Sequence, residues 1–249
     1  MIGADLARAL DPVILLQDIG IEPEPWQANC LRSKSKRQLL RCCRQAGKST
    51  IAAAKAVHKA IYKPGSLTLI FAPSLTQSKE VFRKATQIYQ GLDYVPDLGS
   101  DSVLRLETQQ THSRIVALPS SGITVRGWSA PDLIVLDEGA HLSEELIHAV
   151  LPMIASNADA EIFIPSTPNG KQGLFHDLWE NNDDWEKTFI THHDSANVSD
   201  ENVEFYRRTV GDLMYRQEFL CEFIDPDTAV FPVEVIQNAA DPELVPLWC

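Results

Sequence analysis

The sequence predicts an α/β protein built on a largely parallel sheet, and three observations carry that expectation. Strand-like and helix-like patterns alternate along most of the 249 residues, the order that parallel strands with crossover helices require. A short apolar segment runs straight into Arg44-Gln45-Ala46-Gly47-Lys48-Ser49-Thr50 and then into an alanine-rich stretch of helical periodicity. An unbroken apolar tetrad, Leu133 to Leu136, ends in Asp137-Glu138, as a strand buried on both faces would where it meets solvent.

Taken in order, Asp5 to Asp18 reads as an N-terminal helix, and Pro25 to Ser33 as a second after the turn residues Glu22-Pro23-Glu24. Gln38 to Cys43 is a strand, and Thr50 to Tyr62 a helix stopped by Pro64-Gly65. Leu67 to Ala72 is the next strand, followed by a helix from about Thr76 to Gln90. Val103 to Leu106 and Arg114 to Leu118 are short strands with a polar hairpin between them. After the strand Leu133 to Asp137 come a helix over Ser143 to Ile154, a strand over Glu161 to Pro165 and a helix near Leu174 to Glu180. Lys187 to His192 is a last strand, and Glu201 to Val210 and Leu213 to Glu222 are helices. The pattern turns from α/β to helical near Asp194 to Asp200, so residues 1–194 are expected to form the core and 195–249 a small helical subdomain.

Composition excludes several classes. With 44% hydrophobic and 22% charged residues the chain can bury an ordinary core. Apolar runs such as Leu133 to Leu136 are far too short to span a membrane, and Met1 to Leu16, with Asp5 and Asp11, is not a signal peptide. Five cysteines without a C-x-x-C pair read as reduced thiols of a cytoplasmic protein rather than a disulfide scaffold or zinc site. The net charge of -12 divides unevenly. Residues 1–130 carry 17 basic against 10 acidic residues, and Pro25 to Lys79 holds eleven basic residues and no acidic one. Such a segment attracts nucleotide phosphates or a nucleic-acid backbone, or pairs with the acidic second half.

Cys42 to Ser49 matches the phosphate-binding pattern G-x-x-x-x-G-K-[ST] at every fixed position but the first. Between a strand and a helix, successive N–H groups and the helix N-terminus can wrap a triphosphate. Lys48 would reach the β- and γ-phosphates, and the Ser49 hydroxyl would hold Mg²⁺. Asp137 would orient the Mg²⁺ shell and Glu138 polarise the attacking water, at the sheet edge where ligands bind. The Gln27 amide in Pro25-Trp26-Gln27 can both donate to and accept from an adenine edge. Arg126-Gly127 can present a guanidinium to a phosphate. Ser166-Thr167-Pro168 ends the next strand, where it could sense a γ-phosphate. His192 and His193, adjacent on the expected strand, would point to opposite faces and chelate poorly.

This ordered set, with Phe71-Ala72-Pro73-Ser74 and Arg216 to Phe223, resembles the ATPase domain of the large terminase subunit, the motor that packages DNA into tailed-virus capsids. The resemblance runs from about residue 20 to about 232. It implies an ASCE-type P-loop NTPase fold with a mostly parallel sheet, and ATP and Mg²⁺ as cofactors. Trp26, Gln27 and Arg44 through Thr50 would bind nucleotide, with Arg44 as the family's phosphate-loop arginine. Glu138 would be the catalytic glutamate, and Ser166, Thr167 and Pro168 would couple hydrolysis to movement. Arg126 matches an arginine finger acting on a neighbouring subunit, and residues 195–249 correspond to a lid. Implied partners are double-stranded DNA, the portal protein, the small terminase subunit and further copies in a ring, with a monomer when free and no membrane. The ribonuclease-H-like nuclease domain with which family members continue is expected to be absent. A helicase-like DNA translocase and a non-hydrolysing ATP-binding assembly module remain as alternatives.

Overall fold

Leu67–Phe71 (β2) and Leu133–Leu136 (β6) are buried at every residue, and strands without a polar face must lie inside a sheet covered on both sides. The computed structural model, which describes residues 2–102, 104–118 and 127–224, builds that sheet. Its other strands are Arg37–Cys42 (β1), Leu98–Ser102 (β3), Arg105–Thr108 (β4), Arg114–Leu118 (β5), Glu161–Ser166 (β7) and Glu186–Ile190 (β8). The order is β3-β4-β5-β2-β6-β7-β1-β8. From β5 to β8 every pairing is parallel, and β3 and β4 extend one edge as an antiparallel meander. The fold is therefore the ASCE-type P-loop arrangement that the motifs imply, with β7 lying between the phosphate-loop strand and the acidic strand.

The two-residue period of the strands divides the core into two layers. Leu40, Ile70, Leu133 and Val135 face one cluster, and Leu39, Leu69, Phe71, Ile134 and Leu136 the other. The first layer is closed by Val13–Asp18 (α2), Pro25–Arg32 (α3), Lys48–Tyr62 (α4) and Leu75–Gly91 (α5). In α4 the fully buried Ala52, Ala53, Ala54, Ala56 and Ala60 bring the helix close to the strands. Glu144–Val150 (α6) and Gly173–Asn181 (α7) cover the second layer. Register aligns Arg41 with Ser166 and Val135 with Phe163, which sets the C-terminal ends of β1, β7 and β6 side by side. Among the described residues no helix is long and apolar enough to cross a membrane.

Four expectations are corrected in detail. The N-terminal helix is two, Ile2–Leu10 (α1) and α2. Pro12 stands between them without an N–H, and the Val13 N–H goes instead to Asp11 Oδ1 at 3.1 Å. The expected strand over Val103 to Leu106 starts only at Arg105 and pairs with an unforeseen strand, β3; Val103 lies outside the described residues. The helix after β6 ends at Val150 and passes into a 3-10 turn at Leu151–Ile154, because Pro152 lacks an N–H. The last strand stops at Ile190, and His192–Asp194 forms a 3-10 turn. Beyond it lie Asp200–Val210 (α8) and Asp212–Glu218 (α9).

Candidate functional site

Fully buried Cys42 ends β1, and the N–H of the equally buried Cys43 that follows is fixed by Ile190 O at 3.0 Å. The chain then turns through two left-handed residues, Gln45 (φ 65°) and Gly47 (φ 95°), into α4. No side chain caps that helix, so its first N–H groups and the positive end of its dipole face the loop's concavity, a place suited to an anion. Gln27 braces the loop from α3: its Nε2 donates to Ala46 O at 2.9 Å and its Oε1 accepts the Glu24 N–H at 3.0 Å. A side chain at position 47 would put Cβ 2.7 Å from that Nε2, which requires glycine there.

The acidic edge of β6 stands opposite. Lys48 Nζ forms an ion pair with Glu138 Oε1 at 2.9 Å. Burial opposes the lysine charge, but Glu138 and Asp137 hold its pKa above the ordinary value. Burial would likewise raise Glu138, and the Lys48 charge keeps it below the usual carboxylate range. For Asp137, only 5% exposed, burial and the Glu138 charge outweigh the pull of Lys48 and push the pKa up to about 7. Glu138 adopts left-handed backbone (φ 52°, ψ 49°), strain that an L-residue carries only where its surroundings enforce it. Glu138 Oε2 accepts from the Thr167 N–H at 3.3 Å and hydroxyl at 3.4 Å. Ser166 Oγ accepts the Ala140 N–H at 3.0 Å and donates to Thr167 O at 2.7 Å. The end of β7 thus grips the turn that carries Glu138.

Loop and acidic edge enclose a cavity of about 800 Å³, large enough for a nucleotide. Gln27, Arg44, Gln45, Gly47, Lys48, Ser49, Thr50 and Glu138 line it. Trp26 does not: it is buried in the core below the loop and donates its indole N–H to Glu24 Oε2 at 2.5 Å. Ala46 is buried and offers only its backbone, while Asp137, Ser166, Thr167 and Pro168 are buried and do not contribute to the lining. Arg126 lies outside the described residues. Sequence reasoning missed Ile21, Glu22, Gln77, Lys84, His141 and Asn197 on the lining. Gln77 and Lys84 sit seven apart on one face of α5, the available signal. It also missed the buried Glu218, which pairs with Arg44 at 2.5 Å across 174 residues.

Two polar atoms bear on the occupant. Lys48 Nζ is ion-paired with Glu138 but has no aligned hydrogen bond, and Asp137 Oδ1 is buried without one, conditions that a bound ligand would relieve. A phosphate oxygen for the first and a hydrated Mg²⁺ for the second would do so, and with the Ser49 hydroxyl on the lining the donor set suits a hard cation.

Comparison with known proteins bears on the family and the fold. Residues 41–238 match the family model described as terminase large subunit, T4-like-virus type, N-terminal. The large terminase subunits of Thermus phage G20c and Thermus virus P23-45 are each 24% identical over 86% of this chain. The chain spans about half the length of those relatives, 51% of each. Among solved structures, the large terminase ATPase domain of Thermus phage P74-26 superposes with a TM-score of 0.75 at 23% identity, covering 84% of this chain and 97% of that one. The large terminase of a thermophilic bacteriophage, solved in complex with ADP, gives 0.64 at 13% identity, covering 81% of this chain and 53% of that one.

Proposed function

Because this chain belongs to the terminase large-subunit family, through its N-terminal domain, we propose that it hydrolyses ATP to drive double-stranded DNA into a viral capsid. The observation that carries this reading is the Lys48–Glu138 pair at 2.9 Å beneath an uncapped phosphate loop.

An arriving triphosphate lies along the loop N–H groups and the α4 N-terminus. Its β- and γ-oxygens compete with Glu138 for the Lys48 ammonium, which has no aligned hydrogen bond to lose. Released from Lys48 but still held by Thr167, Glu138 accepts a hydrogen bond from the attacking water and orients it towards the γ-phosphorus. Ser49 and the Asp137 edge would hold Mg²⁺, which when bound would neutralise charge at the phosphates. Arg44 faces the same cavity and is positioned by Glu218, and Gln27, also on the lining, holds the loop from α3. Ser166, Thr167 and Pro168 lie where a change at Glu138 passes directly into β7, which suits them to coupling.

The remaining assignments rest on the family. Arg126 would reach the γ-phosphate of a neighbouring subunit, residues 195–249 would act as a lid on the 1–194 core, and the motor would work as a ring with portal protein and small subunit in the host cytoplasm. The test is turnover: purified chain with Mg·ATP, alone and with double-stranded DNA, is expected to bind nucleotide and release phosphate. Tight binding without phosphate release in either condition, at concentrations where the chain is shown to be oligomeric, would instead identify a non-hydrolysing assembly module.

A further inference from the structure

A second group of side chains converges away from the nucleotide cavity, where the core passes into α8 and α9. Beyond β8, the carboxylate of Asp194 accepts the Thr191 N–H at 2.9 Å and hydroxyl at 2.7 Å, closing the 3-10 turn His192–Asp194. Successive side chains in such a turn rotate by about 120° rather than a strand's alternation. The two histidine rings consequently lie together, centroids 3.8 Å apart, instead of on opposite faces. Asp200, the first residue of α8, returns to the same place with Oδ1 3.3 Å from His192 Nδ1. One ligand atom from each of His192, His193 and Asp200 lies within 4.8 Å of the others.

His192 is the informative member. It is 6% exposed, and its Nε2 shares a hydrogen bond with the Tyr215 hydroxyl at 3.1 Å. Its Nδ1 is buried without an aligned hydrogen-bond partner. In the tautomer that donates its Nε2 proton to Tyr215, Nδ1 presents a lone pair towards the Asp200 carboxylate 3.3 Å away, and a cation between the two acceptors would satisfy both. A hydrogen bond that fixes the far nitrogen of a ligating imidazole is the usual support of such a ligand.

We propose that His192, His193 and Asp200 form a binding site for a divalent transition-metal ion of the zinc type, with water completing the coordination. Bonds of about 2.0–2.2 Å in a tetrahedron require ligand atoms about 3.3–3.5 Å apart. The His192–Asp200 pair already meets that spacing, and rotation of the exposed His193 ring closes the rest. Two imidazoles and one carboxylate favour Zn²⁺, Co²⁺ or Ni²⁺ over Mg²⁺, so the ion that accompanies a nucleotide would not compete. The site joins the two ends of the 192–200 connection. That connection carries Asn197, which lines the nucleotide cavity and whose N–H and Nδ2 donate to Glu24 Oε1 at 3.2 and 3.0 Å. A bound ion would therefore stiffen one wall of the nucleotide cavity, while the uptake of metal does not depend on the ATPase reading.

The experiment titrates the full chain with Zn²⁺ by calorimetry and with Co²⁺ by visible absorption, in excess Mg²⁺ at neutral pH. One equivalent should bind saturably, with the Co²⁺ band of a low-coordinate nitrogen and oxygen site, and Zn²⁺ should raise Tm. His193→Ala and Asp200→Asn change exposed side chains, so both should fold. Loss of an outer-shell partner alone costs about 10–100-fold in affinity, so each variant should lose at least tenfold. His112→Ala, an exposed histidine elsewhere, should bind as the parent does. Absence of saturable binding, as a plain His192–Asp200 ion pair would give, or equal affinity in the parent and both variants, would overturn the proposal.

Discussion

Gly47→Ala is expected to weaken nucleotide binding by roughly 10- to 300-fold, and both contributions can be worked from the loop. At φ 95° an L-residue is disfavoured by about 1–2 kcal/mol. The new Cβ would also stand 2.7 Å from Gln27 Nε2, so Gln27 must swing away and surrender its 2.9 Å bond to Ala46 O, a loss of about 0.5–1.5 kcal/mol. Together these come to about 1.5–3.5 kcal/mol against the binding conformation, at tenfold per 1.4 kcal/mol. Because α4 continues for 15 residues packed on the sheet, the cost should fall on loop geometry rather than on the fold. The assay is calorimetric titration with a slowly hydrolysed ATP analogue and Mg²⁺, with a thermal melt as control. Gln27→Ala removes the obstructing amide, so the double variant should cost less than the sum of the two singles. An affinity for Gly47→Ala within about threefold of the parent, or strict additivity with Gln27→Ala, would refute the bracing role of Gln27.

Three further outcomes are expected. Gly139→Ala would place Cβ 2.3 Å from Ile164 Cγ2 in the buried layer, so denaturant unfolding should show a loss of about 1–3 kcal/mol; unchanged stability would mean the turn yields freely. The Asp137 carboxyl is pushed from its ordinary 3.8 up to about 7 in the fold. The unfolded chain therefore ionises first, and stability falls by at most about 1.4 kcal/mol per pH unit between those values. In Mg²⁺-free buffer Asp137→Asn should be increasingly more stable than the parent from about pH 5 to 6.5; an advantage constant across that range would contradict the burial argument. Arg126→Ala and Glu138→Gln, each inactive alone, should regain turnover when mixed if Arg126 acts in trans, since some interfaces then pair an intact Arg126 with an intact Glu138. No recovery in a demonstrably mixed oligomer would argue that Arg126 acts in cis or merely supports the fold.

What could be read from the sequence was local. Gly47-Lys48-Ser49 stands on a strand–helix junction and Leu133 to Glu138 on a buried strand, and each signal lies within a few residues of the group it positions. The strand order is not local: that β7 enters between β1 and β6 depends on crossovers that periodicity does not encode. Partners distant in sequence were equally hidden, as with Arg44 and Glu218, or with Glu24, whose carboxylate receives Asn197. Gln27 illustrates a half-legible residue. Its type suggested an adenine contact, whereas its geometry shows first a brace on Ala46. The histidine pair was misplaced because apolar alternation was carried past Ile190, although the Thr191–Asp194 spacing that closes the turn was present in the sequence.

The most direct test of the central claim separates binding from chemistry at Glu138. The 2.9 Å pair with Lys48 means that the glutamate restrains the lysine before nucleotide arrives, so Glu138→Gln should bind Mg·ATP at least as tightly as the parent. Lacking a carboxylate to polarise water, it should lose at least about 10²-fold in turnover. Lys48→Ala, by contrast, should bind poorly. Measuring affinity and phosphate release for both variants in parallel settles the assignment: hydrolysis by Glu138→Gln at the parent rate, with binding intact, would contradict it.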